Sequence, residues 1–261
     1  MLNNSTTTLP SVDKLKREII RRFFVNVKGK KSDTTKFNIK HCGKEGHWLE
    51  TQMGIKHNAS NTPDLFGYEM KNATRSKTTF GDWSANYYIF KDNIYGINRD
   101  MFMKLFGKSN QQKQGRFSWS GEPCPKINVY NSYGQTLIVD ANNNIIVLYD
   151  FQKDKRKNKD ILIPKHLQKS SLILAKWKAS SIKLKVERKF NNKGWFQCIK
   201  NKNGVYTKIV FGHPLNFEHW IKGVRDGLIF LDSGMYQGNS RNYSQWRAVN
   251  SYWDRLRTNQ F

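Results

Sequence analysis

Apolar residues recur at helical spacing in three stretches of the chain. The first stretch begins near Ser11, and its apolar positions, three or four residues apart, are Val12, Leu15, Ile19 and Phe23. The second runs from about Gly43 to Met53 and is followed by Gly54, a residue type that commonly ends helices. The third spans about 214–225. Each stretch is therefore predicted to form an amphipathic helix.

Short apolar or alternating runs predict strands in the rest of the chain. The runs cover residues 64–73, 86–95, 126–130, 135–140, 144–150, 182–190, 194–199, 205–211 and 228–232. Because 141–143 are turn-forming residues, the two runs that flank them are expected to pair as a hairpin. Residues 1–10 are polar and are expected to be flexible, whereas 11–261 show no sharp compositional boundary. The pattern predicts a strand-rich protein of the mixed α/β (α+β) class.

The charge balance indicates a polyanionic partner. The 261 residues include 45 Lys and Arg against 20 Asp and Glu, which gives a net charge of +25, and the basic residues are spread from Lys14 to Arg257. A membrane-surface protein would concentrate them on one amphipathic helix or tail, and no window approaches the roughly 20 apolar residues of a membrane span. Aromatic residues make up 13% of the chain, which argues against general disorder. Nucleic acid is thus favoured over a membrane as the partner.

Cysteine usage and the first residues favour a reducing compartment. Cys42, Cys124 and Cys198 are far apart and form no C-x-x-C motif, so neither a disulfide framework nor a thiolate zinc site is indicated. The first ten residues contain no apolar leader, and a cytoplasmic location is expected. The G-x-x-x-x-G-K-[ST] motif of phosphate-binding loops does not occur, so no nucleotide cofactor is expected.

One short segment gathers the groups that phosphodiester hydrolysis requires. Residues 61–72 read NTPDLFGYEMKN, in which Glu69 and Lys71 share one face of a predicted strand and Asp64 precedes that strand. Two carboxylates can hold Mg²⁺ through the hard oxygen ligands that this ion prefers, and the backbone carbonyl of Met70 can add another. Lys71 would orient the attacking water and stabilise hydroxide. The segment is therefore a candidate metal-dependent active site.

The same Glu-x-Lys pattern occurs a second time, at Glu187 and Lys189. Only Lys183 and Lys185 precede it, with no acid nearby, so this second pattern is interpreted as an exposed charged surface. A solvent-exposed charged strand face remains the alternative interpretation of the first pattern as well. Spacing alone does not separate the two possibilities in a chain so rich in lysine.

A longer segment, residues 43–72, resembles a known nuclease signature. It carries a Gly-containing helix with Glu50, a polar loop, Asp64, four residues, Glu69, one residue and Lys71. This pattern is similar to that of the MvaI and BcnI type of restriction endonucleases, in the MutH-related branch of the PD-(D/E)XK superfamily. In that superfamily the preceding helix commonly lends an acid to the metal site, so the resemblance implies that Glu50 assists Asp64 and Glu69.

The resemblance also implies an architecture and an activity. The expected fold is a mixed sheet flanked by helices, and 11–261 would form a two-lobed monomer that nicks one strand at a time. The catalytic lobe would be centred on about 11–110, and the recognition lobe would come mainly from the C-terminal half. The implied reaction is Mg²⁺-dependent, type II cleavage of double-stranded DNA that leaves 5′-phosphate ends. A DNA methyltransferase would be its genetic, rather than physical, partner.

A second block, residues 220–248, is similar to the family's base-reading region. By position, Asp232 and Arg247 are the candidate readers, although Asp232 stands where an arginine would be expected, so the target sequence of relatives does not transfer. The chemistry agrees, since arginine donates two hydrogen bonds to guanine and aspartate accepts one from cytosine N4. Further candidate DNA-binding residues in the same polar segment are Arg241, Asn242 and Gln245. Arg75 and Lys77 are expected to contact phosphates.

Two alternatives stay open at this point. A MutH-like repair nicking endonuclease would use the same acids but would cut one strand under the control of a repair partner. A non-catalytic DNA-binding protein would share the basic charge, but it would have no need for two carboxylates and a lysine in this spacing.

Overall fold

The computed structural model describes residues 13–35, 43–56, 60–72 and 76–261. In these residues the helices are α1 (Lys14–Arg22), α2 (Lys44–Met53), α3 (Arg99–Phe106), α4 (Lys159–Leu162), α5 (Ala179–Phe190), α6 (Phe217–Arg225) and α7 (Asn250–Arg255). The strands are β1 (Glu69–Lys71), β2 (Lys77–Asp82), β3 (Tyr87–Tyr88), β4 (Lys108–Asn110), β5 (Arg116–Trp119), β6 (Tyr133–Val139), β7 (Ile145–Asp154), β8 (Leu172–Trp177), β9 (Trp195–Lys200), β10 (Tyr206–Gly212), β11 (Ile229–Ser233), β12 (Met235–Tyr236), β13 (Ser244–Val249) and β14 (Arg257–Gln260).

The three predicted helices are present as α1, α2 and α6. The side chain of Asp13 accepts a hydrogen bond from Leu15 N and caps α1, which continues as a π-helical turn over Phe23–Val27. The predicted start at Ser11 lies outside the described residues, as does the 1–10 segment expected to be flexible. Helix α2 ends as predicted, because Gly54 adopts the left-handed conformation, with φ of +71°.

Several predicted strands are confirmed, and one is wrong in type. The hairpin of β6 and β7 forms as expected, and β9, β10 and β11 match their predicted positions within one to two residues. Residues 182–190 instead belong to α5, because Ile182, Val186 and Phe190 recur every four residues and form its buried face. The second Glu-x-Lys pattern therefore lies on a helix rather than on a strand.

Other predicted strands are shorter than expected. Within 86–95 only Tyr87–Tyr88 pairs as a strand, since the Asp92 side chain caps a following 3-10 turn through Ile94 N. Residues 126–130 make only isolated bridges. The strand expected over 64–73 is limited in the described residues to Glu69–Lys71, because a tight turn occupies the positions before it.

The chain forms two compact units, and each is discontinuous in sequence. The first contains the described residues up to Asn72, together with Asn192–His213 and Arg257–Phe261. Its four-stranded sheet has the order β1-β9-β10-β14, with β1 and β9 parallel. The core of this unit combines residues of α1, α2 and the sheet, among them Ile19, Leu49 and Phe196.

The second unit contains the described part of 73–191 and Pro214–Leu256. It holds three sheets, with the orders β11-β13-β2, β12-β5-β4 and β3-β8-β7-β6. Tryptophans fill much of its interior: the Trp246 ring lies 5.4 Å from that of Trp177 and 5.3 Å from that of Trp220, and none of the three is exposed. This aromatic packing gives the β11-β13-β2 sheet a rigid support.

The two units divide the sequence differently from the expected lobes. Residues 76–110 belong to the second unit, although the catalytic lobe was expected to be centred on 11–110, and 192–213 and 257–261 complete the first unit. The assignment of catalysis and recognition to separate lobes stays a prediction. No helix in the described ranges is both long and apolar enough to cross a bilayer.

Candidate active site and candidate DNA-reading face

A two-residue turn connects the first acid to the strand that carries the second. Leu65 and Tyr68 pair through both backbone hydrogen bonds, of 3.0 and 2.8 Å. Between them Phe66 and Gly67 have φ values of +52° and +85°, the two positive angles of the tight turns that connect antiparallel strands. This turn brings Asp64 back onto β1, where its Oδ2 accepts a hydrogen bond of 2.9 Å from Met70 N. The four-residue spacing between Asp64 and Glu69 is thus the length of this turn.

Glu69 and Lys71 form a buried ion pair on β1. The Lys71 Nζ lies 2.8 Å from the Glu69 Oε1, and the two residues are only 7% and 2% exposed. Charged side chains are rarely buried to this degree unless they are paired, because removal from water penalises an isolated charge. The predicted sharing of one strand face is confirmed, and the alternative of a solvent-exposed charged face is wrong for this pair.

The neighbouring strand adds residues that the sequence patterns did not single out. In the parallel pairing of β1 with β9, Lys71 is opposite Gln197, so the two side chains share a face. Gln197 is 2% exposed, and its Oε1 accepts a hydrogen bond of 3.2 Å from Arg257 Nη2 on β14. The opposite face of β1 carries Met70 into the hydrophobic core. A buried amide beside a candidate catalytic lysine has no signature in sequence, since it lies 126 positions away along the chain.

Glu50 lies on α2, as predicted. Its Oε2 is 3.3 Å from the Nδ1 of His47, one turn earlier on the same helix. In the described residues no three His, Cys, Asp or Glu side chains lie close enough to form a metal-binding group. The structure therefore brings Glu69 to Lys71 and Asp64 to β1, but it does not gather Glu50 with both acids.

The donors around β1 have the chemistry that Mg²⁺ requires. Asp64 and Glu69 offer carboxylate oxygens and Met70 offers a backbone carbonyl, which are all hard ligands. Proteins commonly bind Mg²⁺ through only one or two carboxylates, and substrate phosphate and water supply the remaining ligands. A third protein carboxylate is therefore not needed, and the residues present fit this ion.

The β11-β13-β2 sheet has one apolar and one polar face. Leu231 and Trp246 point into the interior and are 4% and 0% exposed. On the other face Asp232 is paired with Gln245, and Arg247 with Phe230, so these side chains lie side by side. We call this side of the sheet the polar face; its members are Lys77, Thr79, Asp82, Phe230, Asp232, Gln245 and Arg247.

Four of the predicted DNA-binding residues of the polar face form one network. The Asp232 Oδ2 lies 2.5 Å from Lys77 Nζ and 3.1 Å from Arg247 Nη1. The Arg247 Nη2 donates a hydrogen bond of 2.5 Å to Gln245 Oε1. Lys77 was expected to contact phosphate, whereas its ammonium group contacts Asp232, a candidate base reader. The fifth candidate near this strand, Arg75, lies outside the described residues.

The remaining two predicted readers are held by other side chains. Arg241 Nη2 lies 2.8 Å from Asp82 Oδ2, and Asn242 Oδ1 accepts a hydrogen bond of 2.8 Å from Arg99 Nε. Arg99 also donates to the backbone carbonyls of Tyr236 and Arg241, at 3.0 and 2.7 Å. The guanidinium of Arg99 therefore holds the end of β12 and the loop that follows it at three points. No sequence pattern singled out Arg99, because it precedes this loop by more than 130 positions.

A cavity of about 570 Å³ borders the polar face, and Lys77, Phe230 and Asp232 contribute to its lining. Cys124 lies in the same wall; its thiol donates to the Leu231 carbonyl at 3.2 Å and accepts from Ser233 N at 3.4 Å. Burial raises the pKa of this thiol to about 12, so it is neutral at physiological pH. The thiol thus fixes the backbone on both sides of Asp232.

The fold has a counterpart among solved structures. The restriction endonuclease MvaI, in complex with its cognate DNA substrate, matches with a TM-score of 0.63 over 96% of this chain and 99% of its own, at 13% identity. At so low an identity the likeness concerns the fold alone. The mixed α/β fold class of the restriction-endonuclease type is therefore confirmed.

Sequence relationships place the chain within that class. The LlaMI restriction endonuclease family matches residues 27–261. The type II restriction enzyme ScrFI of Lactococcus lactis subsp. cremoris is 47% identical over 263 residues, which cover 93% of this chain and 97% of that enzyme. The chain belongs to the LlaMI restriction endonuclease family. The predicted resemblance is confirmed, and the chain is an enzyme rather than a non-catalytic DNA-binding protein.

Proposed function

We propose that the chain is a Mg²⁺-dependent endonuclease that cuts double-stranded DNA at a specific sequence and leaves 5′-phosphate ends. The observation that carries the proposal is the buried pair of Glu69 and Lys71 on β1, with Asp64 returned to the same strand by its two-residue turn. A structural ion pair would not need the second carboxylate beside it. The net charge of +25 supplies the general attraction for the DNA backbone.

Lys71 has the central role in the proposed hydrolysis. Its ammonium group lies 2.8 Å from Glu69 Oε1 and carries N–H donors, with which it would orient the attacking water and stabilise the hydroxide as its proton leaves. The new P–O bond forms on the side opposite the 3′ oxygen, and the bond from phosphorus to that oxygen breaks. The products are a 5′-phosphate and, after the 3′ oxygen takes up a proton, a 3′-hydroxyl.

Asp64, Glu69 and the Met70 carbonyl would hold the metal, and Glu50 would assist them. When bound, Mg²⁺ would offset the charge that develops on the phosphate and favour deprotonation of water. The hydrogen bond that Met70 N donates to Asp64 and the contact of Lys71 with Glu69 keep both carboxylates in place. These carboxylates would repel DNA without a cation between them, which explains their presence in a strongly basic chain.

Sequence recognition would reside on the polar face. Asp232 can accept a hydrogen bond from cytosine N4, and Arg247 can donate two to guanine, so the pair would read a C·G base pair. Arg247 uses one N–H of each Nη atom inside the protein. Because each Nη atom carries two N–H bonds, one from each remains for a base. Gln245 would orient Arg247, and Arg241 and Asn242 would shape the loop that precedes these readers.

Further features of the proposal follow from the restriction class. The enzyme would act in the cytoplasm as a monomer, with a cognate DNA methyltransferase encoded as its partner in protection. Arg75 would contribute a contact to the DNA backbone. These features do not enter the test of the activity itself.

The test incubates the purified protein with long unmethylated DNA in Mg²⁺ and, in parallel, in EDTA, and sequences the ends produced. Discrete double-strand breaks at one sequence, with ligatable 5′-phosphates and only in Mg²⁺, are expected. A smear, or nicks that never become double-strand breaks, would contradict the proposal. The Lys71→Ala variant should still bind the site in a gel-shift assay while leaving the DNA intact, and normal cleavage by it would overturn the active-site assignment.

A further inference from the structure

We propose that Lys77 is a specificity-determining positioning residue: its ammonium group fixes the Asp232 carboxylate so that it accepts from cytosine and discriminates against adenine. This inference rests on the proposed base-reading role of Asp232. It replaces the expected role of Lys77 as a phosphate contact. Its basis is the arrangement of three charged side chains on three adjacent strands.

The contact between Lys77 and Asp232 spans the sheet. In the order β11-β13-β2, Asp232 and Lys77 lie on the two outer strands, and Arg247 lies on the strand between them. Neighbouring strands are about 4.8 Å apart, so the outer two are separated by about 10 Å. A long side chain is therefore needed to reach across β13, and lysine reaches Asp232 Oδ2 with a contact of 2.5 Å.

The two cations meet Asp232 at the same oxygen. Lys77 Nζ and Arg247 Nη1 both contact Oδ2, which leaves Oδ1 without a hydrogen-bond or ion-pair partner among the described residues. The carboxylate is partly exposed, with 25% of its side-chain surface accessible. One oxygen is thus held by the protein, and the other is available as an acceptor in a defined position.

A fixed acceptor matters because two bases offer the same group. Cytosine N4 and adenine N6 are both amino donors in the major groove, but they belong to a pyrimidine and a purine and occupy different positions across the groove. An aspartate free to rotate could follow either donor. Held from the far strand by Lys77 and from the neighbouring strand by Arg247, Asp232 can meet only one of them.

The experiment measures kcat/KM for cleavage of the cognate site and of a site in which the read C·G pair is replaced by A·T. The Lys77→Met variant should lose about ten- to hundredfold of the discrimination between the two sites, the range expected for a base contact. The Lys77→Arg variant should restore part of it. Lys126→Met is the matched control, because Lys126 lines the same cavity and is exposed but does not contact Asp232.

If Lys77 were instead a phosphate contact, its loss would have a different effect. Loss of a phosphate contact weakens binding to all sequences alike and lowers the slope of log K against log salt by about one. Unchanged discrimination with such a lowered slope in Lys77→Met would overturn the inference. If Lys77→Met does not fold by circular dichroism, Lys77→Gln gives the same readout, because it also removes the charge.

Failure of the inference differs from failure of the proposed function. Wild-type protein that shows no preferred cleavage site would contradict the proposed function itself. A wild-type protein that cuts at one site, together with a Lys77 variant of unchanged discrimination, would contradict only the positioning role.

Discussion

Replacing Lys71 by methionine should abolish cleavage and destabilise the protein at the same time. Methionine keeps most of the side-chain volume but removes the ammonium group 2.8 Å from Glu69 Oε1. Two unit charges at that distance attract each other by about 6 kcal/mol at an effective dielectric constant of about 20. Glu69 is 2% exposed, so its charge would stay buried without this partner. Removing one partner of a buried ion pair lowers the free energy of unfolding by about 3–5 kcal/mol.

A variant that replaces both Glu69 and Lys71 separates the effect on stability from the effect on cleavage. Glu69→Gln together with Lys71→Met leaves neither charge in the interior, and most of the lost stability should return, because replacement of a whole buried pair is often close to neutral. Cleavage should be absent from the double variant as well as from Lys71→Met. Stability would thus recover while activity does not, which is expected of a pair retained for chemistry.

Urea unfolding in EDTA at neutral pH, followed by tryptophan fluorescence, measures the free energy of unfolding of each variant. Glu187→Gln is the matched control, since it alters the second Glu-x-Lys pattern on α5 and should change stability by less than about 0.5 kcal/mol. A Lys71→Met protein as stable as the wild type would refute the reasoning, because it would mean that the buried ion pair does not contribute to the stability of the fold. Recovery of cleavage in the double variant would refute the catalytic role.

Three further outcomes are expected. Gly67→Ala should lose about 1–3 kcal/mol of stability and most of its cleavage rate, because the φ of residue 67 is +85° and a Cβ there would lie 2.9 Å from Asn192 Nδ2. Urea unfolding measures the stability and a cleavage assay measures the rate. Unchanged cleavage would contradict the role of the turn. Arg99→Ala should weaken cognate binding about tenfold and expose the loop between β12 and β13 to limited proteolysis, because three charge-assisted hydrogen bonds are lost. Arg99→Lys should not restore all three hydrogen bonds. An Arg99→Ala protein as resistant to protease as the wild type would contradict the role of Arg99 in holding this loop. Burial raises the pKa of Asp154, but the hydrogen bonds and charge of Arg156 together with the hydrogen bond from Tyr149 outweigh it, so the pKa is lowered. The contribution of Asp154 to stability is therefore present above about pH 4 and is lost as the pH falls toward the lower pKa of the folded state. Asp154→Asn should flatten the acid side of a melting-temperature profile, and an unchanged profile would contradict this.

Local patterns predicted those parts of the fold that depend on neighbours in sequence. The end of α2 at Gly54, the hairpin of β6 and β7, and the shared face of Glu69 and Lys71 all follow from period or turn chemistry. The strand prediction for 182–190 was wrong because the lysines there alternate with apolar residues, whereas the residues that are buried, Ile182, Val186 and Phe190, recur every four positions. A short apolar run fits both periods, and tertiary packing decides between them.

Local patterns could not predict which distant residues contact the candidate site residues. Lys77 and Asp232 are 155 positions apart, and their contact exists only because β13 inserts between their strands. Arg99 is likewise more than 130 positions from its three acceptors, which lie at the end of β12 and in the loop that follows it. Sequence patterns could not distinguish a side chain that would read a base from one that holds such a reader in place.

The pairing of β1 also determines when during protein synthesis the candidate active site can form. Glu69 and Lys71 lie on β1, which pairs with β9, and β9 begins at Trp195. The sheet is completed by β14, which begins at Arg257. A nascent chain that has reached only residue 194 has no β9 with which β1 can pair, whereas the β6–β7 hairpin needs only local residues and can form earlier. The candidate catalytic pair can therefore reach its arrangement in the sheet only late in synthesis, and a chain that ends before Trp195 should lack cleavage activity.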